Sequence, residues 1–123
     1  NSAMLVRRDN HDKASAGLDE IVETVKAMLD SIHDNMLEMA RQHRDAHIKP
    51  AYDYEAIKHA VDELKGFAYS PWCGERSCEE VVKEETGITT RCMPFDKQAE
   101  AEGKKCACCG MPATRMTYWA KAY

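Results

Sequence analysis

A chain of 123 residues can build one domain with a real core but not two full ones. Charged residues make up 31% of it, with both signs interspersed to a net charge of −4, which fits an ordinary soluble surface and argues against a dedicated electrostatic binder of nucleic acid. No run approaches the ~18 apolar residues of a membrane span and no charged-then-apolar leader opens the chain, which points to the cytosol.

In chain order, residues 1–4 (Asn1-Ser-Ala-Met4) read as an expression scar, so the native polypeptide is expected to extend upstream of Leu5. Leu5-Val-Arg-Arg-Asp9 suits a short strand that ends in the turn-rich cluster Asp9-Asn10-His11-Asp12. The longest periodic segment follows, with Leu18, Ile21, Val22, Val25, Met28, Leu29, Ile32, Met36 and Leu37 at helical spacing. With Ser15 as cap, it predicts a helix from Ser15 to Arg44 whose Met28, Met36 and Met39 fill a core. Arg41, His43, Arg44, His47 and Lys49 form its solvated basic end and complement the helix dipole.

Pro50 breaks this pattern, and Tyr54, Ile57, Ala60, Val61 and Leu64 are spaced for a second helix ended by Gly66. Phe67-Ala-Tyr-Ser-Pro-Trp72 reads as a strand, residues 79–86 as a short polar helix closed by Gly87, and Ile88-Thr-Thr-Arg-Cys-Met93 as a strand stopped by Pro94. The carboxylates of that polar helix have no partnering His or nucleophile nearby and read as a solvated face rather than acid/base machinery. Residues 95–105 read as a polar loop with room for marginal helix, and residues 113–123 alternate as a last strand that is expected to pair with the one at 88–93. The order predicts an α+β fold of two layers, with helices on one face of a small mixed sheet.

Six cysteines without a secretory leader favour metal or redox chemistry over a disulfide framework. Cys73-Gly-Glu-Arg-Ser-Cys78 and Cys106-Ala-Cys-Cys109-Gly110 look like the two halves of a four-thiolate site, because a tight turn with two closely spaced cysteines offers two sulfurs to a tetrahedral zinc. The favoured set is Cys73, Cys78, Cys106 and Cys109. Cys108 is the alternative to Cys109, which has the freer turn before Gly110. Cys92 stands in an apolar strand and is expected to be a small buried hydrophobe. The five histidines are scattered; only His43 and His47 lie one helical turn apart, with no third ligand in view.

The runs Trp72-Cys73-Gly74, Cys78-Glu79, Val82-Lys-Glu-Glu-Thr-Gly87, Thr90-Arg-Cys-Met-Pro-Phe95, Lys105-Cys-Ala-Cys-Cys-Gly-Met-Pro-Ala113 and Tyr118-Trp-Ala-Lys-Ala-Tyr123 together resemble the C-terminal zinc-binding domain of prolyl-tRNA synthetases of the archaeal and eukaryotic-like type. Leu5-Val-Arg-Arg-Asp9 through Lys13 is similar to the segment where that family's anticodon-binding region passes into this domain, so the resemblance covers residues 5–123. It implies an initiation-factor-3-like two-layer arrangement stapled by structural zinc on Cys73, Cys78, Cys106 and Cys109. It also implies a terminal carboxylate on Tyr123 directed toward the catalytic domain. The full-length enzyme would be a cytoplasmic class II ligase, a homodimer, that joins proline to its tRNA using ATP and magnesium. Its catalytic and anticodon-binding domains lie outside these residues, so none of the residues here is expected to be catalytic. Two other classes compete with this accessory role. One is a free-standing zinc module that binds RNA or protein, which the acidic net charge disfavours. The other is a thiol-redox protein using Cys106, Cys108 and Cys109, a reactivity that zinc would suppress.

Overall fold

Small and β-compatible residues open the chain as a hairpin: β1 (Ser2–Val6) and β2 (Lys13–Gly17) pair antiparallel, from Ser2 opposite Gly17 to Val6 opposite Lys13. The computed structural model describes residues 1–122 and divides the chain into two compact units, Asn1–Asp45 and Ala46–Tyr123. The hairpin turn is built by polar side chains. Asn10 accepts from the Asp12 amide at 3.0 Å, and the Arg7 amide donates to the Asp12 carbonyl at 2.8 Å. Residues 2–4, set aside above as a scar, are part of β1.

The first helix, α1 (Ile21–Ala46), starts six residues later than its predicted cap, because Ser15 is taken up in β2. Its apolar stripe is there, but no residue of α1 is buried, and Met36 and Met39 are exposed, against the expectation that they fill a core. Length explains the difference. At ~1.5 Å per residue the helix runs for nearly 40 Å, whereas a five-residue strand spans only ~17 Å. Within this unit the hairpin is too short to cover it. What ties α1 to the hairpin is polar: Arg7 donates to Asp9 at 3.0 and 2.6 Å and to Ser31 at 2.7 Å, and Asn35 donates to Asp9 at 2.7 Å.

The second unit is built on a four-stranded sheet in the order β3-β4-β6-β5. Its strands are β3 (Ile48–Pro50), β4 (Phe67–Trp72), β5 (Ile88–Thr90) and β6 (Arg115–Lys121); β3 runs parallel to β4, and β6 runs antiparallel to both β4 and β5. The sheet is therefore mixed, and the predicted pairing of the last two strands is present. Gly66 allows the parallel pair to start: a Cβ there would fall on the His47 carbonyl oxygen, which accepts from the Phe67 amide at 2.8 Å.

Two helices pack on one face. The first is α2 (Tyr54–Lys58), capped by Asp53, which accepts from the Ala56 amide at 2.8 Å; it continues as a π-helical turn, His59–Glu63. The second is α3 (Arg76–Thr86), closed at Gly87. Ile57, Ala60 and Val61 from the first and Val82 from the second meet Ala68, Trp72, Ile88 and Trp119 of the sheet in one buried cluster. The indole rings of Trp72 and Trp119 lie edge to face, 6.1 Å apart. Tyr69 and Tyr118, opposite one another in the register, stack on the other face at 4.9 Å. There a 3-10 segment, Phe95–Ala101, is pinned to β6 through Gln98, whose side chain accepts from the Met116 amide and donates to its carbonyl, both at 3.0 Å.

Candidate metal centre

Two backbone devices bring distant cysteines together. Cys73 follows the last residue of β4, and Gly74, at φ 86°, turns the chain sharply into α3, whose first turn carries Cys78. The predicted helix over 79–86 thus starts three residues earlier, and one candidate ligand sits on it. The second turn is closed on itself: the Cys106 amide donates to the Met111 carbonyl at 2.7 Å, and the Gly110 amide to the Cys106 carbonyl at 2.9 Å. It is also tied to the first, through Ala107 N–H to the Pro71 carbonyl at 3.0 Å and the Thr114 hydroxyl to the Cys73 carbonyl at 2.7 Å. Sequence reasoning did not single out Thr114, which no spacing marks and which acts through its hydroxyl, whereas Pro71, expected to place the end of its strand at the site, acts through its backbone carbonyl.

The sulfurs of Cys73, Cys78, Cys106 and Cys109 all lie within 4.8 Å of one another, and the Cys78–Cys106 and Cys73–Cys109 separations are both 3.8 Å. A tetrahedral zinc at ~2.3 Å from each sulfur has S···S edges of about 3.8 Å, so the donor set and its spacing fit a zinc-sized ion. Charge argues the same way. Burial raises the Cys73 and Cys78 thiols above their ordinary range, whereas Cys106 is lowered, foremost because the Cys108 thiol donates to its sulfur. Buried thiols held above their ordinary range need a positive charge beside them to ionise, which a divalent ion would supply.

Cys108 stands outside the four. It is partly buried against the apolar core, and its thiol is raised by its hydrogen bond to Cys106 and by desolvation. Cys92, expected to be buried, is exposed: β5 ends at Thr90, and past it the Cys92 carbonyl accepts from the Tyr118 amide at 3.0 Å and the Thr117 hydroxyl at 3.3 Å. His43 and His47 form no part of the cysteine cluster. Tyr123 lies outside the described residues. Of the carboxylates on α3, Glu79 accepts from the Thr90 amide and hydroxyl at 2.9 and 2.6 Å, Glu80 pairs with Arg76 at 2.8 Å, and Glu85 accepts from Tyr54 at 2.5 Å. Glu80, Glu84 and Glu85 are exposed, as a solvated face requires, and Glu79 alone is half-buried, anchoring the end of β5.

A family model described as prolyl-tRNA synthetase, C-terminal, matches residues 54–123. Curated proline–tRNA ligases from Acetoanaerobium sticklandii and Clostridium novyi are 50% and 43% identical to the chain over all 123 residues, which make up 25% of each relative. The crystal structure of prolyl-tRNA synthetase from Cryptosporidium parvum, complexed with halofuginone and AMPPNP, matches with a TM-score of 0.91 at 26% identity, over 99% of this chain and 26% of that one. The chain thus spans about a quarter of the length of the relatives it matches. Among the described residues no helix is long and apolar enough to cross a membrane.

Proposed function

Because the chain belongs to the family of prolyl-tRNA synthetase C-terminal domains, we propose that it is the accessory, non-catalytic region of a cytoplasmic proline–tRNA ligase. Its ligands for a structural zinc are Cys73, Cys78, Cys106 and Cys109. The carrying observation is the gathering of these four sulfurs within 4.8 Å inside the stretch that the family model matches. When bound, zinc supplies a rigid crosslink and no chemistry on the substrate.

The chain's own residues position rather than catalyse. The cysteine turns fix the end of β4, the start of α3 and, through Thr114, the entry to β6. The last of these strands leads to Tyr123, whose terminal carboxylate is proposed to reach toward the catalytic domain. Activation of proline with ATP and magnesium, recognition of its tRNA and dimerisation belong on this reading to the complete enzyme, with its catalytic and anticodon-binding domains.

The test compares the 123-residue chain with the complete enzyme in proline-dependent ATP–pyrophosphate exchange and in aminoacylation. The chain alone is expected to be silent in both, and lengthening the complete enzyme by one residue after Tyr123 is expected to depress aminoacylation. Exchange by the isolated chain would overturn the non-catalytic reading; full activity after the extension would remove the role of the carboxylate.

A further inference from the structure

We propose that Cys109 is a modification site through which small uncharged disulfides open the metal centre, ending in a Cys73–Cys109 disulfide and loss of the metal. The inference rests on the zinc reading above. Of the four clustered cysteines, Cys109 alone is exposed, whereas Cys106 and Cys73 are 3% and 8% exposed. A groove of about 520 Å³, which Cys73 and Cys78 also line, opens onto it, with Val81, Met111 and Pro112 among its walls and Glu75 as its one charged lining residue; within it Cys109 is the exposed sulfur. Val81 and Met111 are 55% and 63% exposed, so an apolar reagent meets carbon on its way to the sulfur. The Glu75 carboxylate disfavours an anionic one.

The chemistry balances with the disulfide reagent as the oxidant. The Cys109 thiolate attacks one sulfur of a disulfide RSSR; the Cys109–SR bond forms, the S–S bond breaks, and RS⁻ leaves to take a proton from water. The Cys73 thiolate, whose sulfur lies 3.8 Å from that of Cys109, then attacks the Cys109 sulfur and expels the second RS⁻. Two cysteines are oxidised, one reagent disulfide is reduced to two thiols, and the metal is left with half of its sulfurs.

The experiment treats the zinc-loaded complete protein with 2-hydroxyethyl disulfide or with glutathione disulfide. Zinc release is followed with a coloured chelator, and adducts are located by peptide mapping. Within the cluster, the first adduct is expected at Cys109, in step with zinc release and followed by the Cys73–Cys109 disulfide, with the neutral reagent several-fold faster than the anionic one. Cys92 serves as an internal control whose modification releases no zinc. A first adduct at Cys73, Cys78 or Cys106, zinc release without a Cys109 adduct, or equal rates for the two reagents would overturn the proposal. Cys109→His keeps a zinc ligand but removes the nucleophile, and is expected to slow release by about tenfold or more; an unchanged rate also overturns it. Elemental analysis before treatment separates the two readings: protein without zinc refutes both, whereas zinc-loaded protein that reacts elsewhere refutes this one alone.

Discussion

Asp9 is held by three hydrogen bonds, two from Arg7 and one from Asn35, with only 4% of its side chain exposed. The Arg7 hydrogen bond outweighs the desolvation that opposes it, so the carboxyl sits well below the usual carboxylate range. A folded-state value below the unfolded one, ~3.9, means that the ionised group stabilises the fold above about pH 4 and that this contribution is lost as pH falls through the folded value. Acid titration followed by helical circular dichroism should therefore show α1 losing order below about pH 4. Asp9→Asn should weaken the unit at neutral pH and flatten that acid limb; an acid transition unchanged in the variant would show that another group drives it. The cysteines divide just as sharply. Cys108→Ser is expected to retain one zinc per chain by elemental analysis and Cys109→Ser to lose affinity for it, whereas the reverse pattern would move the fourth ligand to Cys108. The competition between these two neighbours was visible in the sequence, but which sulfur joins the cluster depends on how the turn closes through Met111 and Gly110. Cys92 misled for a related reason: its β-branched neighbours promised a regular buried strand, but past Thr90 both Arg91 and Cys92 bond to Tyr118, an irregular pairing that leaves the Cys92 side chain exposed.

At the scale of elements, α1 and α2 carry similar apolar patterns and opposite consequences. Leu29 on α1 is 60% exposed, whereas Ile57 on α2 is 0% exposed within the core cluster. Leu29→Ala in the 123-residue chain is expected to change stability by no more than ~0.5 kcal/mol, the scale of surface substitutions. Ile57→Ala should cost about 2–5 kcal/mol, because it leaves a cavity among packed neighbours. Urea unfolding checks both, and a large cost at Leu29 would show that the stripe is covered in solution. Periodicity thus revealed that a helix forms and which face is apolar, but not whether anything covers that face. Strand β4 and the Gly87 stop were legible because each depends on local chemistry: β-compatible residues running into a turn, and a positive φ. Strands β2 and β3 were not. Lys13–Gly17 is made of small residues without β-branching, and Ile48–Pro50 ends in a strand breaker, so each owes its state to a partner strand rather than to its own sequence.

Across the whole chain, the unequal share of crosslinks predicts an unequal response to metal removal. The four clustered sulfurs all lie in the second unit, and their turns reach β4, α3 and the approach to β6. Binding free energy at such a site is folding free energy, on the order of several kcal/mol, because the unfolded chain does not hold the ligands together. The first unit has no share in it: its hairpin and α1 are joined by Arg7, Asp9, Ser31 and Asn35. A chelator should therefore speed amide hydrogen exchange at residues 72–78 and 105–116 first, then through β4, α3 and β6, while the amides of the hairpin and α1 keep their rates. The buried contacts of Ile57, Val82, Trp72 and Trp119 do not involve the metal directly, so the core strands should retain partial protection rather than melt outright. Equal acceleration in both units would mean that the metal stabilises the chain globally; no acceleration anywhere would mean that the sulfur cluster stands without it.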